Sequence, residues 1–141
     1  MDNITHLLDT SVYSQSLRRK EGRNSNAVAW WERLGDSRLA VCVISDAEVR
    51  TGLIKNRSVR MTEKYEQTLK GSLPTYPIDE SVAETFAQMK ARQQLIGNEV
   101  ADLDLLIAAC ARSHGLIVAT LNHRDFSRIE GLAWEDWGRP L

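Results

Sequence analysis

The sequence predicts an α/β fold: one domain in three layers, with a central parallel sheet of four to five strands between helices. Three observations carry this. Short, almost wholly apolar runs, LAVCVI (Leu39–Ile44) and LIVAT (Leu116–Thr120), read as strands covered on both faces. Between such runs, apolar residues recur at i, i+3, i+4, i+7, the period of a helix with one buried face. Strands and helices then alternate, the order that builds parallel sheets with helical crossovers. The 141 residues suit a single domain spanning the whole chain. A chain of that length can bury roughly two-thirds of its unfolded surface.

Composition narrows the functional classes. The chain is 43% hydrophobic and 26% charged, with a formal net charge of −1. There is no global attraction to nucleic acid or membrane, so any such binding must come from a local patch. No apolar run approaches the roughly 20 residues of a membrane span. The start, MDNITHLLDTS, lacks a basic region followed by an apolar core, so no signal peptide is expected. Cys42 and Cys110 both fall inside apolar runs. They read as buried, reduced thiols, which points to the cytoplasm.

Thr5 to Leu8 reads as the first strand, ending at Asp9. Thr10 or Ser11 is then expected to cap a helix through about Arg19, followed by a polar loop, Lys20 to Asn26. Ala27, Trp30, Trp31 and Leu34 mark a second helix, stopped by Gly35. After Leu39–Ile44 a third helix runs from Ser45 to about Lys55, with Ser45-x-x-Glu48 matching a capping box. Gly52 lies one turn beyond Glu48 on the same face. Mid-helix glycine costs roughly 0.5–1 kcal/mol relative to alanine, which suggests a close approach there. Ser58 to Lys70 is expected to be helical and Gly71 to Pro74 a turn. Tyr76 to Ile78 reads as a short edge strand interrupted by proline. Asp79 caps a long helix with Val82, Ala83, Phe86, Ala87 and Met89 inward, and a loop around Gly97 follows. GLAWEDW near the end is a last short strand.

The chain is organised around Asp102 to Phe126. Asp102 and Asp104 open a helix with Leu103, Leu106, Ile107 and Cys110 on its expected buried face. Asp102 is expected to cap it. His114 is expected at its end as a cation near the dipole, and Gly115 stops it. The strand Leu116–Thr120 leads to Asn122 and Asp125. In an αβ unit of a parallel sheet, the start of the helix and the end of the strand share one edge. Ligands bind beyond that edge. Asp9, Glu48, Asp104 and Asp125 all belong there. Singly, each has a structural explanation: Asp9 a cap, Glu48 the arm of a capping box, Asp104 a dipole complement, Asp125 a turn. Together they demand more. Two unit charges about 4 Å apart repel by roughly 4 kcal/mol at an effective dielectric near 20. Three or four such groups cannot stay ionised together unless a cation or protons offset the repulsion. Carboxylates and water are the ligands that Mg²⁺ and Mn²⁺ prefer, a set suited to metal-assisted phosphoryl chemistry.

Other chemistries lack their residues. His6, His114 and His123 show no zinc-ligand spacing with each other or with the cysteines. There is no nucleophile elbow and no glycine-rich phosphate loop. An aspartyl-phosphate phosphatase would need an acid where this chain has Ser11.

At this point LLDTS, ISDAEVRTGL, DLDLLIAACARSHGLIVATLNHRDF and the closing GL resemble the PIN-domain proteins, specifically the VapC-type toxins of bacterial toxin–antitoxin pairs. The most specific parts are DLLIAA (Asp104–Ala109), HGL (His114–Leu116), N-x-x-D-F (Asn122–Phe126) and E-x-x-x-G (Glu48–Gly52). None is diagnostic alone; their order and spacing are. The resemblance implies a PIN-like fold and a Mg²⁺- or Mn²⁺-dependent endoribonuclease. It also implies a homodimer inhibited by a cognate antitoxin. It assigns the metal-binding and catalytic acids to Asp9, Glu48, Asp104 and Asp125. Thr10, Ser11 and Asn122 of the same motifs become candidates for positioning the substrate. The family commonly has Asn where this chain has Ser11, whose hydroxyl can still bond a phosphate or a metal-bound water.

An RNA substrate would need local positive charge. Arg18, Arg19, Lys20 and Arg23 form one basic cluster and Lys55, Arg57, Arg60 and Lys64 another, each otherwise explained as a solvated face. Trp30, Trp31, Trp134 and Trp137 are expected in the core or at a dimer contact rather than stacking on bases. Two other functions use the same residues: an idle PIN-like module acting through an antitoxin complex, and a DNA-directed nuclease with the same metal site.

Overall fold

A computed structural model describes residues 3–141. Its five strands are β1 (His6–Leu8), β2 (Leu39–Cys42), β3 (Thr75–Tyr76), β4 (Ile117–Thr120) and β5 (Trp134–Asp136). They form one sheet in the order β3-β2-β1-β4-β5, with every pairing parallel. The helices are α1 (Thr10–Tyr13), α2 (Ser25–Leu34), α3 (Val43–Asn56), α4 (Val59–Lys64), α5 (Glu80–Leu95), α6 (Asp102–Ser113) and α7 (His123–Phe126). The predicted three-layer α/β/α arrangement is present.

The layers follow from the two-residue period of the strands. Leu7, Ala40, Cys42 and Val118 point to one face, against Val82 and Met89 of α5 and Leu105, Ile107 and Ala109 of α6. Leu8, Leu39, Val41 and Ala119 point to the other, against Val12 and Tyr13 of α1, Ala27 of α2 and Val49 of α3. Both cysteines are buried and free. Trp137 is fully buried, and Trp30, Trp31 and Trp134 pack half-buried against the core, as expected. Among the described residues no helix is long and apolar enough to cross a membrane.

Several local expectations are corrected. Neither Thr10 nor Ser11 caps α1. Asp9 does, through its carboxylate, and the helix lasts one turn before a 3₁₀ turn carries the chain to Leu17. Ser45 does not cap α3, because the strand ends at Cys42 and Val43 is already helical. Ser45 is instead fully buried, with no hydrogen-bond partner for its hydroxyl among the described residues. A Cβ at Gly52 would meet nothing within 4 Å, so the fold itself makes no close approach there. The edge strand is Thr75–Tyr76 rather than Tyr76–Ile78. Ala83 and Ala87 are exposed, because Val82, Met89 and Gln93 set the buried face of α5. On α6 the buried stripe runs through Leu105, Ile107, Ala108 and Ala111, while Leu103 is 47% exposed and Leu106 half-buried. The α6 helix packs against both the sheet and α5, and its buried face is turned accordingly. His114 ends α6 as expected and stacks on Tyr76, ring centres 3.9 Å apart. Gly115 takes the left-handed conformation (φ +68°) that a helix stop of this kind requires.

Candidate active site

The register of the sheet places the site. Leu8 lies opposite Val41 on one side and Ala119 on the other, so β1, β2 and β4 end together. The next residue, Asp9, donates its backbone N–H to Ala119 O at 3.0 Å and stays at the middle of the carboxyl edge. Its side chain is 3% exposed. Oδ1 accepts from Val12 N at 3.0 Å and from the Ser11 hydroxyl at 2.6 Å, and Oδ2 accepts from the Thr120 hydroxyl at 2.5 Å. Burial pushes this carboxyl above its ordinary range, against the pull of those hydrogen bonds.

Glu48 reaches the same edge from α3. Thr10 donates its hydroxyl to Glu48 Oε1 at 2.6 Å, joining α1 to α3. Asp125 sits in the single turn of α7, and Asn122 Nδ2 donates to its Oδ2 at 2.6 Å. Asp104 occupies the first turn of α6. Its carboxyl is pushed up to about 6, first by burial and then by the charges of Asp125, Glu48 and Asp9; a hydrogen bond with Asp125 adds to the shift. The fold therefore brings Asp9, Glu48 and Asp125 within electrostatic reach of Asp104. Thr10, Ser11 and Asn122 spend their side chains on Glu48, Asp9 and Asp125 respectively, so in this arrangement they orient carboxylates.

The donor set is all oxygen, as a hard divalent cation requires. Among the described residues, however, no three acidic, histidine or cysteine side chains stand close enough to enclose an ion together. An ion held at this edge would take one or two of these carboxylates and complete its shell with water and substrate phosphate.

Other predicted residues are placed elsewhere. Asp102 does not cap α6. It lies inside the helix, largely exposed, and pairs with Lys90 of α5. Arg23 is held in place: its guanidinium donates to Arg18 O at 2.9 Å and Ser16 O at 3.2 Å and clamps the loop. Arg18, Arg19 and Lys20 remain exposed. Lys55, Arg57 and Arg60 are exposed and Lys64 half-buried.

Two contributors had no signal in the sequence. Thr120, fully buried, both holds Asp9 and accepts from Asn122 N at 2.7 Å. In the sequence it was only the end of an apolar run. Asp46 accepts from Tyr13 OH at 2.9 Å, Tyr65 OH at 2.7 Å and Arg50 Nε at 2.8 Å. It ties α1, α3 and the π-helical turn Tyr65–Leu69 together behind the site.

Residues 6–132 match the PIN domain family across nearly all of the chain. The chain belongs to the PIN-domain family. This PIN domain is 33% identical to the toxin FitB of Neisseria gonorrhoeae, the alignment covering 93% of the chain and 97% of FitB. It is 30% identical to the ribonuclease VapC5 of Mycobacterium tuberculosis, covering 90% and 89%. The crystal structure of FitAcB from Neisseria gonorrhoeae superposes with a TM-score of 0.83 at 31% identity, covering 94% of this PIN domain and 99% of that chain. VapBC-5 of Mycobacterium tuberculosis, a member of the VapBC family of toxin–antitoxin systems, superposes with a TM-score of 0.68 at 28% identity, covering 93% and 95%.

Proposed function

We propose that this PIN domain is the cytoplasmic toxin of a toxin–antitoxin pair, an endoribonuclease that hydrolyses RNA phosphodiester bonds with Mg²⁺ or Mn²⁺. The observation that supports it is Asp104, half-buried in the first turn of α6, whose carboxyl is pushed up to about 6 by burial and then by the charges of Asp125, Glu48 and Asp9. A fold gains nothing from such crowding. Asp104 and Asp125 would hold the ion, with Asp9 and Glu48 acting on it through water. When bound, the ion would polarise the phosphate, lower the pKa of a bound water and stabilise the leaving oxygen.

The chain's own groups have distinct tasks. Glu48, with Oε1 fixed by Thr10, keeps Oε2 to orient the attacking water and take its proton. Asp9 is rigid and cannot swing, because donors occupy both of its oxygens. Asn122 holds Asp125 against rotation. The choice of RNA over DNA follows the relatives named as ribonucleases, and the antitoxin partner follows the toxin–antitoxin complexes of similar fold. A homodimer follows from the resemblance to VapC-type toxins.

The test is cleavage of labelled RNA and of the matching DNA in Mg²⁺, Mn²⁺ and EDTA, by the parent and by Asp104→Asn. Metal-dependent RNA cleavage lost in the variant supports the proposal. Cleavage by Asp104→Asn at the parent rate refutes the site. A parent that cleaves nothing and ignores metal is the idle binding module instead.

A further inference from the structure

The match to the PIN family ends at residue 132, and the chain continues through β5 into a hook, Trp137 to Arg139, that the fold holds firmly. Trp137 N donates to Thr120 O at 2.9 Å. Asn26 Nδ2 donates to Gly138 O at 2.7 Å, and Trp30 Nε1 donates to Arg139 O at 2.9 Å. The Trp30 and Trp137 rings stack with centres 5.8 Å apart. At Gly138 a Cβ would come within 3.0 Å of Asp136 Oδ1 and 3.5 Å of Leu121 Cδ2, so a side chain there would push against Asp136.

All of this fixes the backbone of Arg139 while leaving its side chain 77% exposed. Asp136 Oδ2 lies 3.5 Å from Arg139 Nε and 3.6 Å from His123 Nδ1. Asp136 itself is held by Gly138 N, which donates to Oδ1 at 2.8 Å. His123 opens the same single turn that carries Asp125. The sheet is parallel, so β5 ends at the edge where Asp9 and Asp125 lie. An isolated exposed pair of this kind contributes about 0–1 kcal/mol and would not by itself explain so many anchors. A guanidinium has five N–H donors in a planar fork, and only Nε is turned to Asp136. The fork of Nη groups suits a phosphate. A polyanion approaching four carboxylates needs a cation beside them, and Arg139 follows β5, which ends at the same edge.

We infer that Arg139, oriented by Asp136, is a positioning residue that grips an RNA phosphate next to the scissile one and draws the strand along the β5 side of the site. This rests on the nuclease reading above. The test uses the full chain as Arg139→Ala and Arg139→Lys. Binding of a short fluorescein-labelled single-stranded RNA is followed by anisotropy in EDTA, where nothing is cut, and cleavage is then followed with metal. In Arg139→Ala the Kd and KM should rise about tenfold, the loss expected for one charge-assisted hydrogen bond to phosphate. The slope of log K against log salt should become shallower by about 0.7. Arg139→Lys should fall between. The melting temperature and its response to Mg²⁺ should stay at the parent values. An unchanged Kd and salt slope in Arg139→Ala overturns the inference. So does a loss that Arg139→Lys shares in full together with a lowered melting temperature, which would make the hook merely structural, or a parent chain without affinity for RNA. A parent that binds RNA through Arg139 but cuts none fails the nuclease reading and keeps only the phosphate contact of Arg139.

Discussion

Thr120 donates its hydroxyl to Asp9 Oδ2 at 2.5 Å, tying the end of β4 to the acid that leaves β1. The same oxygen of Thr120 accepts from Asn122 N, so one buried hydroxyl sets both Asp9 and the loop leading to Asp125. Thr120→Val keeps the shape and removes the bond. It leaves a buried carboxylate oxygen and a backbone N–H without partners, which should cost about 1–3 kcal/mol. The expected outcome is a lower denaturation midpoint in urea at unchanged m, with reduced cleavage at temperatures where the variant is still folded. Parent-like stability would mean that Asp9 does not depend on this hydroxyl.

Asp104 gives a pH dependence whose direction is fixed. Its carboxyl titrates near 6 in the fold and near 3.9 in an unfolded chain. The fold thus holds the proton more tightly. The associated stability is complete below about pH 4, declines as pH rises through 6, and is flat above. In EDTA, Asp104→Asn should remove that decline and be more stable than the parent above pH 6. The gain should be on the order of 1–2 kcal/mol, because the half-buried group is partly screened. Adding Mg²⁺ should raise the melting temperature of the parent and not of the variant. A variant that melts below the parent at pH 7 in EDTA would show that the carboxylates do not repel one another.

Asp46 has the opposite sign. Burial pushes its carboxyl up, but hydrogen bonds from Tyr65, Tyr13 and Arg50 outweigh it and hold the carboxyl below its ordinary value. The associated stability is present above about pH 4 and is lost as the carboxylate is protonated at lower pH. Asp46→Ala strips the acceptor from two buried tyrosine hydroxyls and should cost about 2–4 kcal/mol at pH 7. The difference between parent and variant should shrink at pH 3. Urea unfolding at the two pH values reads both numbers, and a difference that grows on acidification would contradict the network.

The acids were legible in the sequence because a parallel sheet converts chain order into position. Asp9 and Asp125 follow the ends of β1 and β4, Glu48 lies early in the helix after β2 and Asp104 opens the helix before β4, and all four positions fall at one edge of the sheet. Their orienting partners were not legible. Whether Thr10 turns to Glu48 or to a phosphate depends on the crossing of α1 and α3, which no periodicity encodes. The facing of α6 was misjudged for a related reason. Leu103 fits a helical stripe with Ile107 and Cys110, but the helix contacts both the sheet and α5, and the buried face turns through Leu105 and four alanine and cysteine positions, Ala108 to Ala111, the alanines carrying little signal. Asp46 has no motif around it, and its three donors come from positions as far apart as 13 and 65.

Ser45 separates the sequence pattern from the structure most sharply. As the capping residue of Ser45-x-x-Glu48, its hydroxyl would satisfy an N–H of the first turn, and Ser45→Ala would cost about 0.5–2 kcal/mol. In the fold that task belongs to Cys42, whose Sγ accepts from Ile44 N at 3.5 Å. Ser45 lies inside α3 with a buried hydroxyl that has no partner among the described residues, a desolvation cost with no return. Alanine removes that hydroxyl, leaves Glu48 in the hands of Thr10, and raises helix propensity by a few tenths of a kcal/mol. Ser45→Ala should therefore stabilise the chain by about 0.5–1.5 kcal/mol, seen as a melting temperature a few degrees above the parent with cleavage unchanged. A loss of stability in this variant would restore the capping box and move the start of α3 to Ser45.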